Sequence, residues 1–177
     1  NENEEIKDVV PFEYYPEAYL LLTRDKVTNT YSMRLYVQDQ MIAGYTWSVG
    51  VLVSKLISTS NTILVASRRQ DAEGKYQHSI EAFRELGPEE NNFGYPVIER
   101  YASIDINDTR RFSFVRMNDN YFGTLTDESK GETYLRVYNR DLEQVTQKKV
   151  QAHPFYQVFP MPNYKGFLEI KDDGTAS

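Results

Sequence analysis

The sequence predicts an all-β fold built from repeated antiparallel hairpins. Three times a tyrosine opens an apolar run a few residues after a charged turn, and another apolar run precedes each turn. These tyrosines are Tyr31, Tyr76 and Tyr134. Aromatic residues make up 14% of the chain, with 14 tyrosines against one tryptophan, and tyrosine suits the half-buried face of a strand. Internal repetition of this kind is typical of stacked β-sheet units.

The first hairpin is predicted from residues 18–23 and 31–37, which a polar turn joins. In its second arm every second residue from Tyr31 to Val37 is apolar or aromatic, the period of a strand with one buried face. Before the hairpin, prolines favour an extended entry segment. The acidic residues 1–10 are predicted to form a flexible tail.

Further strand candidates follow, separated by turns rich in Asn, Asp, Gly and Pro. They are residues 41–47, 50–57, 61–67, 95–102, 111–117, 121–126, 133–139, 145–150, 156–159 and 166–170. Hairpins that recur at roughly 40 to 50 residues match the four-stranded blades of a β-propeller. We therefore expect residues 11–177 to form one β-rich domain of propeller-like blades, a partial propeller that belongs to a larger one. A closed antiparallel barrel or sandwich and an α+β fold are the alternatives.

Residues 75–86 are compatible with two structures. Alternate residues are weakly apolar, as in a strand, but four apolar side chains would share one face of a helix: Tyr76, Ile80, Phe83 and Leu86. Gly87 and Pro88 follow directly, which is a signal for the end of a helix. We expect a short helix near residues 76–87, inserted between two sheet units.

Composition and charge exclude several classes of function. The net charge is −6 and basic residues form no stripe, so nucleic-acid binding is disfavoured. The most apolar stretch, residues 49–57, contains Ser54 and Lys55 and is far shorter than the roughly 20 residues that span a bilayer. The absence of cysteine excludes disulfides, thiolate metal sites and cysteine nucleophiles.

The residues that could carry catalysis form no recognisable constellation. His78 and His153 are the only histidines and lack a partner at metal-ligand spacing. Acidic residues cluster at 105–108, 127–128 and 172–173, where we expect turns capped by Asp and Asn. The sequence therefore predicts no catalytic residues, no metal and no cofactor, and a non-enzymatic role is favoured.

Two aromatic pairs are the candidate binding residues. Tyr45 and Trp47 form one pair, and Tyr121 and Phe122 form the other. Exposed aromatic side chains are enriched in binding hot spots, so either pair could anchor a protein or stack on a sugar. The alternative is that these side chains line the core between sheets.

Three functions are compatible with these observations. The favoured one is a non-enzymatic interaction or scaffold module, whose partner is another protein or a second chain that completes a sheet edge. The second is a carbohydrate-binding or carbohydrate-processing domain that uses aromatic residues and turn carboxylates. The third is a carrier of small apolar ligands in a closed β-barrel, with Tyr and Phe lining the cavity.

Overall fold

The computed structural model describes residues 2–106, 109–116, 120–128, 132–150, 157–160 and 167–170. Throughout these residues the regular structure is strand, and none of them forms a helix. No described segment is therefore a helix that could cross a membrane. The chain divides into two compact units, Asn1–Asn107 and Asp108–Ser177.

The first unit contains two four-stranded antiparallel sheets whose strands follow one another in chain order. Sheet A consists of β1 (Glu4–Pro11), β2 (Ala18–Asp25), β3 (Tyr31–Val37) and β4 (Gln40–Thr46). Sheet B consists of β5 (Val51–Thr59), β6 (Thr62–Gln70), β7 (Tyr76–Leu86) and β8 (Val97–Ile106).

Strand β1 corrects the predicted boundary of the acidic tail. Residues 4–10 pair with β2 along their length instead of extending into solvent. The carboxylate of Glu4 also forms an ion pair with Arg34 of β3. This ion pair across β2, together with the β1–β2 hydrogen bonds, holds β1 in sheet A despite the polar composition that suggested a tail.

The predicted first hairpin is confirmed as β2 and β3. Its inward positions include Leu20, Leu22, Met33 and Leu35, which are almost fully buried, while the residues between them face outward. The carboxylate of Asp25 accepts hydrogen bonds from two backbone N–H groups of the turn, each at 2.8 Å. An Asp that caps its own turn in this way fixes where β2 ends.

The predicted helix near residues 76–87 is wrong, because these residues form strand β7 in the middle of sheet B. The face that β7 turns towards sheet A carries Glu81, Phe83 and Glu85, all buried. Two acidic residues on a buried face hide the period-two pattern, so the remaining apolar residues fit a helix better. Gly87 and Pro88 end a strand here instead of a helix.

Sheets A and B pack face to face around one hydrophobic core. Strand β1 lies beside β5, and β4 lies beside β8. Both sheets contribute fully buried side chains to this core, among them Phe12, Leu20, Leu22, Met33, Leu35, Leu56, Ile63, Val65 and Phe83. The two sheets therefore form a two-layered unit with matched strand order.

The second unit contains a four-stranded antiparallel sheet and a hairpin. Sheet C consists of β9 (Thr109–Arg116), β10 (Tyr121–Glu128), β11 (Thr133–Asn139) and β12 (Gln144–Val150), again in chain order. The hairpin consists of β13 (Gln157–Pro160) and β14 (Phe167–Ile170), and β13 lies beside β9. Phe122 and Tyr138 are cross-strand partners in sheet C, and their rings stack at 5.3 Å.

The predicted antiparallel all-β architecture is confirmed, and two of its alternatives are wrong. Each four-stranded sheet is open, with two edge strands, so the described strands form no closed barrel. The described residues also lack the helix that an α+β fold requires. Leu22, Ala66, Thr124 and Leu168 lie in the second strand of sheet A, sheet B, sheet C and the β13–β14 hairpin, respectively.

The edges of the four-stranded sheets share one irregularity. Every pairing that involves an edge strand contains a register shift, whereas the three pairings between central strands are regular. A β-bulge leaves a residue unpaired and bends the strand, so a further strand cannot add in continuous register. These bulges count against a second chain completing a sheet edge.

Candidate functional site

The four predicted binding residues lie in different surroundings. Trp47, just after β4, is 3% exposed, and Phe122 is 1% exposed. Tyr45 is half-buried, and Tyr121 is 39% exposed. The first pair belongs to the first unit and the second pair to the second unit. Trp47 and Phe122 are therefore core residues of their units, as the alternative interpretation expected.

Trp47 is hydrogen-bonded to Glu81, a buried carboxylate of β7. Its indole Nε1 donates a hydrogen bond to Glu81 Oε2 at 3.2 Å. Ser67 Oγ donates to the other oxygen, Oε1, at 2.6 Å, and Arg100 Nη1 lies 3.2 Å from Oε2. Three donors therefore balance the cost of burying the Glu81 charge, and a charge at this depth requires such compensation.

The second buried carboxylate of β7 makes an equivalent link further along the strand. The hydroxyl of Tyr15, in the β1–β2 loop, donates to Glu85 Oε2 at 2.9 Å. Between the two acids, the Phe83 ring makes edge contacts with Tyr45 at 4.8 Å and with Trp47 at 5.7 Å. Residues 81, 83 and 85 form a line of contacts between the sheets, which we name the β7 seam.

The link between Tyr15 and Glu85 predicts how stability depends on pH. Burial, together with the hydrogen bond to Glu85, raises the pKa of Tyr15 to about 12. In the unfolded chain a tyrosine ionises near pH 10, so only the unfolded state loses the proton between about pH 10 and 12. The stabilising contribution of Tyr15 is complete below pH 10 and is lost as the pH rises to 12.

We therefore expect the difference in stability between the wild type and Tyr15→Phe to narrow from pH 9 to pH 11.5. Urea unfolding followed by fluorescence at both pH values measures this difference. Tyr14→Phe is the control, because Tyr14 is exposed and adjacent. If the stability difference between the wild type and Tyr15→Phe stays constant over this pH range, the raised pKa of Tyr15 in the folded state is wrong.

A groove lies above the β7 seam, between the outer strands of the two sheets. Its volume is about 590 Å³, and we name it the aromatic groove. Tyr45 of sheet A forms one wall, and β8 together with the loop that precedes it forms the other. The lining residues are Tyr45, Leu86, Glu90, Asn91, Asn92, Phe93, Val97, Ile98, Glu99 and Arg100.

The side chains of Asn91 and Glu90 hold the loop of residues 87–96 through hydrogen bonds to its backbone. Asn91 Nδ2 donates to the carbonyl of Gly87 at 2.6 Å and to that of Tyr95 at 3.0 Å. Its Oδ1 accepts from the backbone N–H of Phe93 at 2.7 Å. Glu90 Oε2 also accepts from the N–H of Gly87 at 2.9 Å. The loop is thus ordered by its own hydrogen bonds before any partner arrives.

This ordered loop presents two aromatic rings to solvent. Phe93 is 66% exposed and Tyr95 is 59% exposed, and their centroids lie 5.9 Å apart. Neither residue is among the four predicted binding residues, because the sequence pattern places Tyr95 in a strand, and that strand begins only at Val97. The sequence does contain a signal for their exposure. The two aromatic residues lie among Asn, Gly and Pro, which favour a loop, and aromatic residues in a loop do not pack on the face of a sheet.

Asp105, one of the acidic residues expected at turns, lies in a strand instead. Asp105 is in β8, where it accepts hydrogen bonds from Gln77 and Ser79 at 2.9 Å and 2.8 Å. Burial and the nearby Arg68 lower the pKa of His78. Within the described parts of the chain no three potential metal ligands come together. His153 and residues 172–173 lie outside the described residues.

The geometry bears on the carbohydrate hypothesis as well. The ring of Trp47, one of the aromatic residues on which that hypothesis depends, is enclosed by the core and hydrogen-bonded to Glu81. An exposed aromatic ring that does line the aromatic groove is that of Phe93, in the 87–96 loop. No protein-family model matches the chain, and no curated protein matches it.

Proposed function

We propose that this protein is a non-enzymatic interaction module of propeller-type sheets that binds a protein partner through the aromatic groove. The observation that carries the proposal is the pair Phe93 and Tyr95, held in solvent on a loop that Asn91 orders. Aromatic anchors in an ordered surface are the residues that dominate protein interfaces.

The arrangement of strands supports the propeller-type assignment. In the first unit, the first strand of sheet A lies beside the first strand of sheet B, and the fourth lies beside the fourth. In the second unit, β13 lies beside β9, which are the first strands of the hairpin and of sheet C. Successive propeller blades, each a four-stranded meander, pack with this matching order.

The properties of edge strand β8 favour the aromatic groove beside it, and not the strand's own backbone, as the binding surface. Strand β8 carries a register shift at the point where it passes Ala82 and Phe83, beside the groove. Its outward residue Glu99 is charged, and charged side chains on an edge oppose strand addition. A partner is therefore expected to insert side chains between β4 and β8 without extending either sheet.

The ordered loop also lowers the cost of association. Ordering a flexible segment on binding costs about 0.5–1.5 kcal/mol for each immobilised side chain, in addition to the backbone entropy. The hydrogen bonds of Asn91 and Glu90 have already fixed this loop in the free protein. More of the contact energy of the two rings is then available for affinity.

Selection from a library of random peptides displayed on phage tests this function. We expect the wild-type protein to enrich a peptide family, and Phe93→Ala and Tyr95→Ala to weaken binding of the selected peptides. Loss of a hot-spot aromatic costs about 2 kcal/mol, which is roughly a 30-fold rise in Kd. Isothermal titration calorimetry with synthetic peptides measures the change.

Val27→Ala is the matched control, because Val27 is an exposed apolar residue in the β2–β3 turn, outside the groove. Its Kd for the same peptides should equal that of the wild type. Equal binding by Phe93→Ala and the wild type would sink the proposal, and so would a selection that enriches no peptide family.

A further inference from the structure

A second groove in the first unit has a different chemistry. It lies where β5 begins and β6 ends, has a volume of about 480 Å³ and shares no residue with the aromatic groove. We name it the Arg69 groove. Its lining residues are Asn29, Ser48, Val49, Gly50, Leu52, Arg69, Gln70 and Tyr76.

The lining of the Arg69 groove contains one charge, and that charge is positive. Seven of the eight lining residues are neutral, although the chain as a whole carries a net charge of −6. The guanidinium of Arg68 lies over the Tyr76 ring at 4.6 Å, and Arg68 does not itself line the groove.

Two carboxylates of turns adjoining the lining residues accept hydrogen bonds from backbone groups of their own turns. Asp71 Oδ1 accepts from the N–H of Lys75 at 2.7 Å, and Asp25 Oδ1 accepts from the N–H groups of Val27 and Thr28. None of the described ion pairs involves Arg68 or Arg69. The positive charge at this groove is thus not neutralised by a direct acidic contact within the described residues.

Arg69 is held in place by a neutral partner. Its Nη2 donates to Ser48 Oγ at 2.7 Å, which orients the guanidinium without cancelling its charge. Asn29 uses its Oδ1 to accept from Arg24 Nε at 2.6 Å, so its amide Nδ2 is the end with hydrogens to donate. At Gly50 no atom lies within 4 Å of the place a Cβ would occupy, so a ligand can approach the backbone.

We propose that the Arg69 groove is a binding site for a small oxyanion, the carboxylate or phosphate of a small molecule. A guanidinium presents a planar pair of N–H groups that matches both anions, and hydrogen bonds between charged groups are stronger than neutral ones. Ser48, Asn29 and Tyr76 surround Arg69 with side chains that can donate to the remaining oxygens. This site is independent of the protein-binding role assigned to the aromatic groove.

Nuclear magnetic resonance titration of the full chain tests the site with two probes, citrate and phenyl phosphate. We expect at least one probe to shift the resonances of Arg69 Nε–H and of the Gly50 amide, with a dissociation constant in the millimolar range at low ionic strength. Binding should weaken as salt rises, because exposed charges are screened. The responses to citrate and to phenyl phosphate identify which oxyanion the groove takes.

Arg69→Gln keeps a donor for Ser48 but removes the charge, and we expect it to weaken binding at least tenfold. Arg84→Gln is the matched control, since Arg84 is also exposed in sheet B but pairs with Glu99 at 2.9 Å, and it should bind as the wild type does. Failure of both probes to shift these resonances would overturn the proposal. An equal shift of the Gly50 amide in the wild type and in Arg69→Gln would overturn it too.

Discussion

Replacing Glu81 with alanine is expected to lower the free energy of unfolding by about 2–4 kcal/mol, because it removes the acceptor of two buried hydrogen-bond donors. The carboxylate is 4% exposed and accepts from Trp47, Ser67 and Arg100. Its loss leaves the Trp47 and Ser67 donors buried without an acceptor, and each such group costs about 1–3 kcal/mol. The hydrogen bond from Trp47, which follows β4 of sheet A, to the β7 seam is then lost.

Chemical denaturation followed by tryptophan fluorescence measures this effect directly. Trp47 is the one tryptophan of the chain, so its emission reports on the first unit alone. We also expect the emission of the folded Glu81→Ala protein to shift to longer wavelength, because water gains access to the indole. Glu81→Gln should fall between the wild type and the alanine variant, since its amide keeps one acceptor oxygen.

Glu99→Ala is the matched control for Glu81→Ala. Glu99 also pairs with an arginine, Arg84 at 2.9 Å, but both side chains are about half exposed. Exposed ion pairs contribute about 0–1 kcal/mol, so this variant should stay close to the wild type. If Glu81→Ala and Glu99→Ala destabilise equally, the β7 seam does not hold the sheets together as inferred.

Replacing Phe83 with alanine is the second large effect, and we expect a loss of about 3–5 kcal/mol. Phe83 is fully buried, and its ring meets those of Tyr45 and Trp47 edge-on. Removing the ring leaves a cavity at the place where the two sheets meet. On the β6 side the hydrogen-bonded pairing is regular, which limits how far that strand can close the space.

The same denaturation experiment measures Phe83→Ala, with Phe93→Ala as its matched control. Phe93 is a phenylalanine of the same unit but lies 66% exposed on the loop, so its removal should change stability by less than about 0.5 kcal/mol. That result would also show that the binding defect of Phe93→Ala is local. A Phe83→Ala protein as stable as Phe93→Ala would contradict the proposed core.

The two predictions concern the part of the chain where sequence reasoning was least successful. The alternation from Tyr31 to Val37 predicts β3 correctly, because one face of that strand is apolar and the other is not. In β7 the same rule fails, because Glu81 and Glu85 occupy buried positions that the rule reserves for apolar residues. Their hydrogen-bond donors come from distant segments, Trp47 and Tyr15, and no local pattern contains them.

The candidate site likewise depends on contacts between distant residues that the local sequence does not reveal. Trp47 looks like a binding residue because a lone tryptophan is conspicuous, yet its partner on β7 makes it part of the core. Phe93 and Tyr95 attract no notice, since their exposure depends on a loop shape that Asn91 sets through its hydrogen bonds. Their importance arises from the groove between β4 and β8, which exists only once two sheets have packed.

By itself the sequence determined that this chain forms antiparallel sheets of consecutive strands, because turn residues and period-two alternation act within a few residues of one another. Only the tertiary structure decided which polar residues are buried, which aromatic rings remain in solvent and where the grooves lie. The physical reason is that burial of Glu81 or exposure of Phe93 depends on partners from other strands and loops, and packing of the sheets brings those partners together.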